Sequence, residues 1–145
     1  MTKPLSLDVS LSTNKLDIDL DQLGELFDAG AFWARGRSPE GLQRMLLFSD
    51  PVVSACSGKR LIGFARATGD GIYRATIWDV VVHPDYQSYG IGRRLIDTLL
   101  VHPLLLDVER IYLMTTFKQG FYEKLGFEKN ASTTMLLERG AHSLS

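Results

Sequence analysis

The stretch Ala75-Thr76-Ile77-Trp78-Asp79-Val80-Val81-Val82-His83-Pro84-Asp85-Tyr86-Gln87-Ser88-Tyr89-Gly90-Ile91-Gly92-Arg93-Arg94-Leu95-Ile96 decides how this chain is read. Its first eight residues are almost continuously apolar, as expected of a strand buried on both faces. Its end opens a helix: Ile91, Leu95, Ile96, Leu99 and Leu100 fall on one face, with Arg93, Arg94, Asp97 and Thr98 off it. Between the two lies Gln87-Ser88-Tyr89-Gly90-Ile91-Gly92. A helix start offers unpaired N–H groups and the positive end of its dipole, which suits a phosphate. Gly90 and Gly92 lack a Cβ and allow a ligand to approach the backbone closely. Arg93 and Arg94 add positive charge. These features describe a pyrophosphate cradle; a turn that needs glycine for backbone reasons alone is the competing reading. Two familiar cradles are excluded. The dinucleotide fingerprint requires a small residue where Leu95 stands, and the Walker motif requires Gly-Lys-Ser/Thr where Gly92-Arg93-Arg94 stands.

Outward from this stretch, strands and helices interleave. Leu5 to Leu11 alternates apolar and polar, the period of a half-buried strand. Asp17 to Phe27 has helical spacing, with Gly30 as its stop. Phe32-Trp33-Ala34-Arg35-Gly36-Arg37 is an aromatic and basic connector. Ser38-Pro39-Glu40 reads as the start of a second helix. Val52–Ser57, Leu61–Ala67 and Ala75–Val82 are strand-like, the first pair joined by the tight Gly58-Lys59 turn. Pro103 ends the helix from Ile91. Arg110–Thr115 predicts a strand, Phe121–Leu125 a short helix stopped by Gly126, and Thr133–Leu137 a last strand. Such interleaving in a short chain predicts one mixed α/β or α+β domain spanning residues 1–145.

The composition agrees. The 145 residues suit one core, with 45% hydrophobic and 23% charged residues. Sixteen basic against 17 acidic residues leave a net charge of −1, which points to neither nucleic acid nor an anionic membrane. No apolar run approaches the ~20 residues that cross a bilayer, and Met1–Asp8 lacks the features of a signal peptide. One cysteine, Cys56, excludes an intrachain disulfide framework and reads as a small core residue in a reducing cytoplasm. His83, His102 and His142 lack ligand spacing, so no metal is expected. Glu138–Ser145 reads as a frayed end.

Val82-His83-Pro84-Asp85-Tyr86-Gln87-Ser88-Tyr89-Gly90-Ile91-Gly92 resembles the acetyl-CoA signature of the GNAT superfamily of N-acetyltransferases, Q/R-x-x-G-x-G/A after a central strand. Phe121-Tyr122-Glu123-Lys124-Leu125-Gly126-Phe127 resembles that superfamily's second signature, in the right order and at about the usual separation. Phe32–Arg37 and Ile77-Trp78-Asp79-Val80 resemble the plastid and cyanobacterial branch that includes serotonin N-acetyltransferases. The resemblance implies a mostly antiparallel central sheet with a splayed parallel pair of strands and about four flanking helices. It also implies acetyl-CoA as cosubstrate, direct transfer of acetyl to a primary amine, and frequent homodimers.

The site residues follow from the same likeness. Val80, Val81 and Val82 would hold the pantetheine arm through their main chain. The N–H groups from Ser88 to Arg93 would grip the pyrophosphate, placing Gln87, Ser88, Tyr89, Gly90, Ile91, Gly92, Arg93 and Arg94 at the cofactor. Tyr122 matches the family's tyrosine and is expected to serve as acid to the departing thiolate; the alternative is a tyrosine packed in the core. Many members carry an asparagine shortly before that tyrosine, where this chain has Thr115-Thr116-Phe117-Lys118-Gln119. Thr116 or Gln119 would have to stand in for it. Asp79 lies inside an apolar strand, where desolvation raises a carboxyl pKa toward that of a base. The alternative is an ion pair with Arg35, Arg37, Arg66 or Arg74, and a water chain can also remove the proton. Phe32 and Trp33 either stack on the substrate or seal the core. Trp78 is expected on the opposite side of the strand from Asp79. The amine would be an arylalkylamine such as serotonin or tryptamine, or a protein lysine or N-terminus. A non-catalytic acyl-CoA sensor is the alternative outside enzymology.

Overall fold

In the computed structural model, which describes residues 8–132 and 134–140, the apolar periodicities resolve into two helical layers on one sheet. The order is β1 Ser10–Ser12, α1 Leu20–Gly30, α2 Pro39–Leu47, β2 Val52–Ser57, β3 Arg60–Gly69, β4 Arg74–Val82, α3 Ile91–Leu100, α4 Pro103–Leu106, β5 Arg110–Leu113 and α5 Gln119–Lys124. Short 3₁₀ turns occupy Lys15–Asp17, Phe32–Ala34 and Pro84–Tyr86. The sheet runs β1-β2-β3-β4-β5; every pair is antiparallel except β4–β5. This is the mixed, mostly antiparallel sheet with one parallel pair that the signatures imply.

Local chemistry sets the boundaries. The Asp19 carboxylate accepts from the Gln22 N–H at 3.0 Å, so α1 starts at Leu20 and Asp17 falls in the preceding 3₁₀ turn. Ser38 caps α2 by accepting from Gly41 N–H at 3.1 Å, with Pro39 in the first turn. Pro103 does more than end α3: it begins the single-turn α4 behind a His102 cap.

One face of the sheet packs Ala55, Ile62, Ala65 and Ile77 against Leu95, Ile96 and Leu99 of α3. The other packs Val52, Phe64 and Val81 against Leu23, Phe27 and Leu42 of α1 and α2, with the Phe27 and Phe64 rings edge to face at 5.6 Å. Gly63 lets α3 come close: a Cβ there would stand 3.2 Å from Ile91 Cγ2 and 3.3 Å from Leu95 Cδ1. No helix among the described residues is long and apolar enough to cross a membrane.

Two expectations change. Residues 134–137 form no strand, and Met135, Leu136 and Leu137 are exposed. An apolar run becomes a strand only when another strand's edge pairs with it. Thr133 itself, residues 5–7 of the N-terminal strand and residues 141–145 of the tail lie outside the described residues. Cys56 is only half-buried.

Candidate active site

β4 changes partner along its length. Its parallel pairing with β5 runs from Arg74↔Arg110 to Ile77↔Leu113, where β5 ends. Its antiparallel pairing with β3 continues to Gly63↔Val82. Beyond Ile77, no strand among the described residues covers the β5 side of β4, so the main chain of Val80, Val81 and Val82 presents an edge there. The register with β3 slips between Phe64 and Arg66. The extra β4 residue falls at Asp79, whose φ of 54° is left-handed.

The start of α3 stands beside the end of β4. A Cβ on Gly92 would lie 3.9 Å from Val82 Cγ2 and 3.4 Å from Phe121 Cζ of α5. Gly90 is the helix N-cap at φ 75° and carries no side chain to cap the helix. The helical ladder begins with Arg94 N–H donating to Gly90 C=O at 3.2 Å. The amides of Ile91, Gly92 and Arg93 thus lie ahead of it. A Cβ on Gly90 would meet nothing within 4 Å, and Ser88 is also left-handed at φ 72°. Open space, forward-pointing amides and the dipole's positive end coincide, which fits a diphosphate. The arginines do less than their charge suggests. Arg93 pairs with Asp97 at 3.6 Å, and Arg94 reaches the Val9 carbonyl at 3.4 Å. Gln87 Nε2 donates to the Val82 carbonyl at 3.4 Å, tying the loop to the strand it follows. Tyr89 packs against the α3-side core.

Tyr122 lies in α5, buried in the α3-side core between Phe121 and Phe127 at ring distances of 5.0 and 5.9 Å. Burial raises its pKa to about 12. No side-chain hydrogen bond engages its hydroxyl among the described residues. The ring is thus part of the core, and among the described residues its hydroxyl is left without a hydrogen-bond partner. Thr116 is exposed, and its carbonyl accepts from Gln119 Nε2 at 3.1 Å, so the two candidate stand-ins bond to each other.

Asp79 differs most from expectation. Oδ1 accepts from Trp33 Nε1 at 2.8 Å; Oδ2 accepts from Arg37 Nη1 at 2.9 Å and Arg66 Nε at 2.8 Å. Only 4% of its side chain is exposed. Burial pushes the carboxyl pKa up, but the hydrogen bonds and charges of Arg37 and Arg66 outweigh it. The net effect holds the pKa below the ordinary carboxylate range. The expected rise toward a base is therefore overturned, and Arg37 and Arg66 are the ion-pair partners. Arg66 also donates to the buried Ser49 hydroxyl at 3.2 Å, a contact the sequence did not suggest.

Trp78 does not oppose Asp79 across the strand, because the bulge breaks the alternation and both side chains meet Arg66. The Arg66 guanidinium lies 5.9 Å from the Trp78 ring, whose Nε1 donates to Thr68 Oγ1 at 2.9 Å. Phe32 and Trp33 seal no core. They are 61% and 48% exposed and touch edge to face at 5.1 Å. Gly30, read only as a helix stop, is a contact point: a Cβ there would stand 2.9 Å from Val81 Cγ2 and 3.2 Å from the Val82 carbonyl.

Residues 49–129 match the acetyltransferase (GNAT) domain family. The chain is 37% identical over 133 residues to the uncharacterized N-acetyltransferase ycf52 of Pyropia yezoensis, covering 85% of this chain and 72% of that protein. It is 36% identical over 115 residues to the chloroplastic serotonin N-acetyltransferase 2 of Oryza sativa subsp. japonica, covering 76% of this chain and 56% of that protein. Its backbone superposes with a TM-score of 0.80 on a GNAT-family chain from Xanthomonas campestris pv. campestris, at 27% identity over 92% of this chain and 94% of that one. A splayed β4 edge beside an uncapped helix start, on a chain with these relatives, belongs to the GNAT family of acetyl-CoA-using N-acetyltransferases.

Proposed function

We propose that this chain transfers acetyl from acetyl-CoA directly to a primary amine, with an arylalkylamine as the preferred acceptor. The observation that carries the reading is the conjunction at the end of β4: an uncovered strand edge at Val80–Val82 leads into amides at Ile91–Arg93 that precede the helical ladder. An acyl-CoA presents an amide-bearing arm and a diphosphate in that same order.

Bound acetyl-CoA supplies an acetyl group activated as a thioester. The α3 amides and the helix dipole hold the diphosphate, with the left-handed Gly90 keeping the approach open. The β4 edge pairs with the arm, and an N–H of Val80–Val82 stabilises negative charge as it develops on the carbonyl oxygen. Holding both reactants together supplies several kcal/mol of the barrier reduction. The incoming ammonium loses its proton to water, since the Asp79 carboxylate is already committed to three donors.

Tyr122 faces an energetic constraint. Full transfer from a phenol with pKa about 12 to a thiolate whose thiol titrates near 8.5 is uphill by about 5 kcal/mol. Its hydroxyl therefore acts as a hydrogen-bond donor to the departing sulfur, with the amine's protons completing neutralisation. The exposed Phe32–Trp33 pair beside Asp79 offers flat apolar surface to the acceptor, and the activity named for the rice relative is of that substrate class. A reducing aqueous compartment suits the unpaired Cys56; the cytoplasm is the simplest.

The test mixes pure protein with acetyl-CoA and serotonin, tryptamine, spermidine, a short alkylamine and a lysine peptide, and follows free thiol. Turnover fastest with the indole amines supports the reading. Measurable CoA affinity with no turnover on any amine refutes it in favour of a sensor.

A further inference from the structure

The Asp79 carboxylate is spent on three donors from three parts of the fold. Trp33 lies in the 3₁₀ turn after α1, Arg37 in the connector before α2, and Arg66 on β3. The carboxylate sits at the bulge of β4, two residues past the last β4–β5 pair and one before Val80. Outside this cluster, Trp33 and Phe32 face solvent over much of their surface. Both rings are about half or more exposed, and among the described residues the aromatic neighbour of each is the other, at 5.1 Å. The Trp33 Nε1–H···Oδ1 bond at 2.8 Å is the polar tie that orients the indole. The anchor itself cannot swing, because the two guanidiniums hold Oδ2.

We infer that Asp79 is a positioning residue: through its bond to Trp33 it holds the Phe32–Trp33 pair beside the splayed strand and so sets the preference for amines with a flat aromatic body. This rests on the acetyl-transfer reading above and assigns Asp79 a different task from proton removal. Its pKa, held below the ordinary carboxylate range, agrees with a permanently charged anchor. A left-handed backbone also suits an aspartate or asparagine better than most residues, so Asp79→Asn keeps both the turn and an oxygen that can accept from the indole.

Three variants and two readouts test the inference. The first readout needs neither cosubstrate nor turnover: solvent exchange of the two indole N–H protons, followed by NMR on ¹⁵N-labelled protein. Trp33→Phe assigns the resonances. Asp79→Ala should speed exchange of the Trp33 proton tenfold or more, while Asp79→Asn keeps much of the protection. The second readout is steady-state kinetics against pH. Trp33→Phe should raise KM for tryptamine about tenfold, change KM for a short alkylamine less than threefold, and lower kcat less than it raises the tryptamine KM. Asp79→Asn should keep the acid limb of the kcat/KM profile and at least a tenth of wild-type kcat.

Loss of that limb together with a fall of kcat by 10²-fold or more would make Asp79 the base and overturn the inference. An unchanged tryptamine KM in Trp33→Phe, with an active wild type, would overturn it alone. A wild type inactive on every amine would overturn acetyl transfer, and the specificity role with it, even if the exchange data show the bond intact. Should Asp79→Ala fail to fold, Trp33→Phe and Asp79→Asn still decide the matter.

Discussion

Replacing Gly90 with asparagine separates two demands that a glycine can meet at once. Gly90 has φ 75° and ψ 14°, and a Cβ there would find nothing within 4 Å. In the free protein the only cost of a side chain is therefore the left-handed backbone. That is about 1–2 kcal/mol for an ordinary residue and much less for asparagine, which visits this region. At about 4 °C per kcal/mol for a chain of this size, Gly90→Val should lower Tm by 4–8 °C and Gly90→Asn by under 3 °C. Ligand affinity should respond differently. The space in front of Gly90 is where a diphosphate must come to meet the α3 amides. A side chain that blocks even one amide–phosphate hydrogen bond forfeits about 1.5–3 kcal/mol, or about 10- to 150-fold in Kd. Calorimetric titration with CoA, alongside thermal unfolding, measures both quantities. Gly71→Asn is the control: it has φ 80° and equally open surroundings, but lies in the β3–β4 turn at the far end of β4. It should match Gly90→Asn in Tm and leave Kd unchanged. Wild-type CoA affinity in Gly90→Asn would refute the cradle.

Other outcomes follow from the same geometry. Tyr122→Phe should lower kcat about 10²-fold while acetyl-CoA binding holds. Because the wild-type phenol titrates at about 12, its ionisation should cost no rate below about pH 11; an alkaline limb near pH 9 that vanishes in the variant would contradict this. Asp79→Ala strands Arg37 and Arg66 and should cost about 3 kcal/mol in urea unfolding, with full stability in the variant counting against the network. The depressed Asp79 pKa adds a pH signature. Its stabilisation is complete above the unfolded-state value of about 3.9 and is lost as pH falls through the lower folded value. The stability gap between wild type and Asp79→Asn should thus be flat above pH 5 and shrink below pH 4. Gly30→Ala drives a methyl to 2.9 Å from Val81 Cγ2 and 3.2 Å from the Val82 carbonyl. It should cost about 1–3 kcal/mol and weaken CoA binding through the displaced strand; equal Tm and Kd would show that α1 yields instead.

The elements around Gly90 were readable because they depend on local chemistry. A β-branched run, a left-handed glycine and a 3.6-residue apolar stripe each act within a few residues, and α3 starts and ends where the pattern predicts. Ser38 with Pro39, and the turn after Ser57, behave likewise. What escaped depends on distant partners. Residues 134–137 have the apolar content of a strand, but pairing requires an edge that no local pattern reveals. Gly30 looks like a helix stop because the strand it touches lies about 50 residues later. The arginine partners of Asp79 could be narrowed to four and no further, because choosing Arg66 requires the β3–β4 register and choosing Arg37 requires knowing where the connector before α2 lies against β4.

At Asp79 one local anomaly admits two physical causes. A carboxylate in Ile77-Trp78-Asp79-Val80-Val81-Val82 reads as a buried charge seeking chemistry. Aspartate is also among the few side chains that tolerate a left-handed backbone, and a bulge needs such a residue. The faces of β4 show which cause governs. Ala75 and Ile77 point to the α3 layer, and so do Val80 and Val82, whereas Val81 points to α1 and α2. A regular strand would have put 79 and 81 with Ala75 and Ile77. The extra residue at Asp79 reverses the alternation, so that Val81 packs beneath Gly30 and Val82 lies beside Gly92. It falls just after β5 ends. The residue that re-aims the strand is thereby also the one whose side chain reaches the loop carrying Trp33. Moving the bulge by one position, with deletion of Asp79 and insertion of an aspartate after Val80, should keep the strand's composition and yet lose both CoA affinity and the Trp33 bond. Retention of both would mean that the splay needs only the shortness of β5.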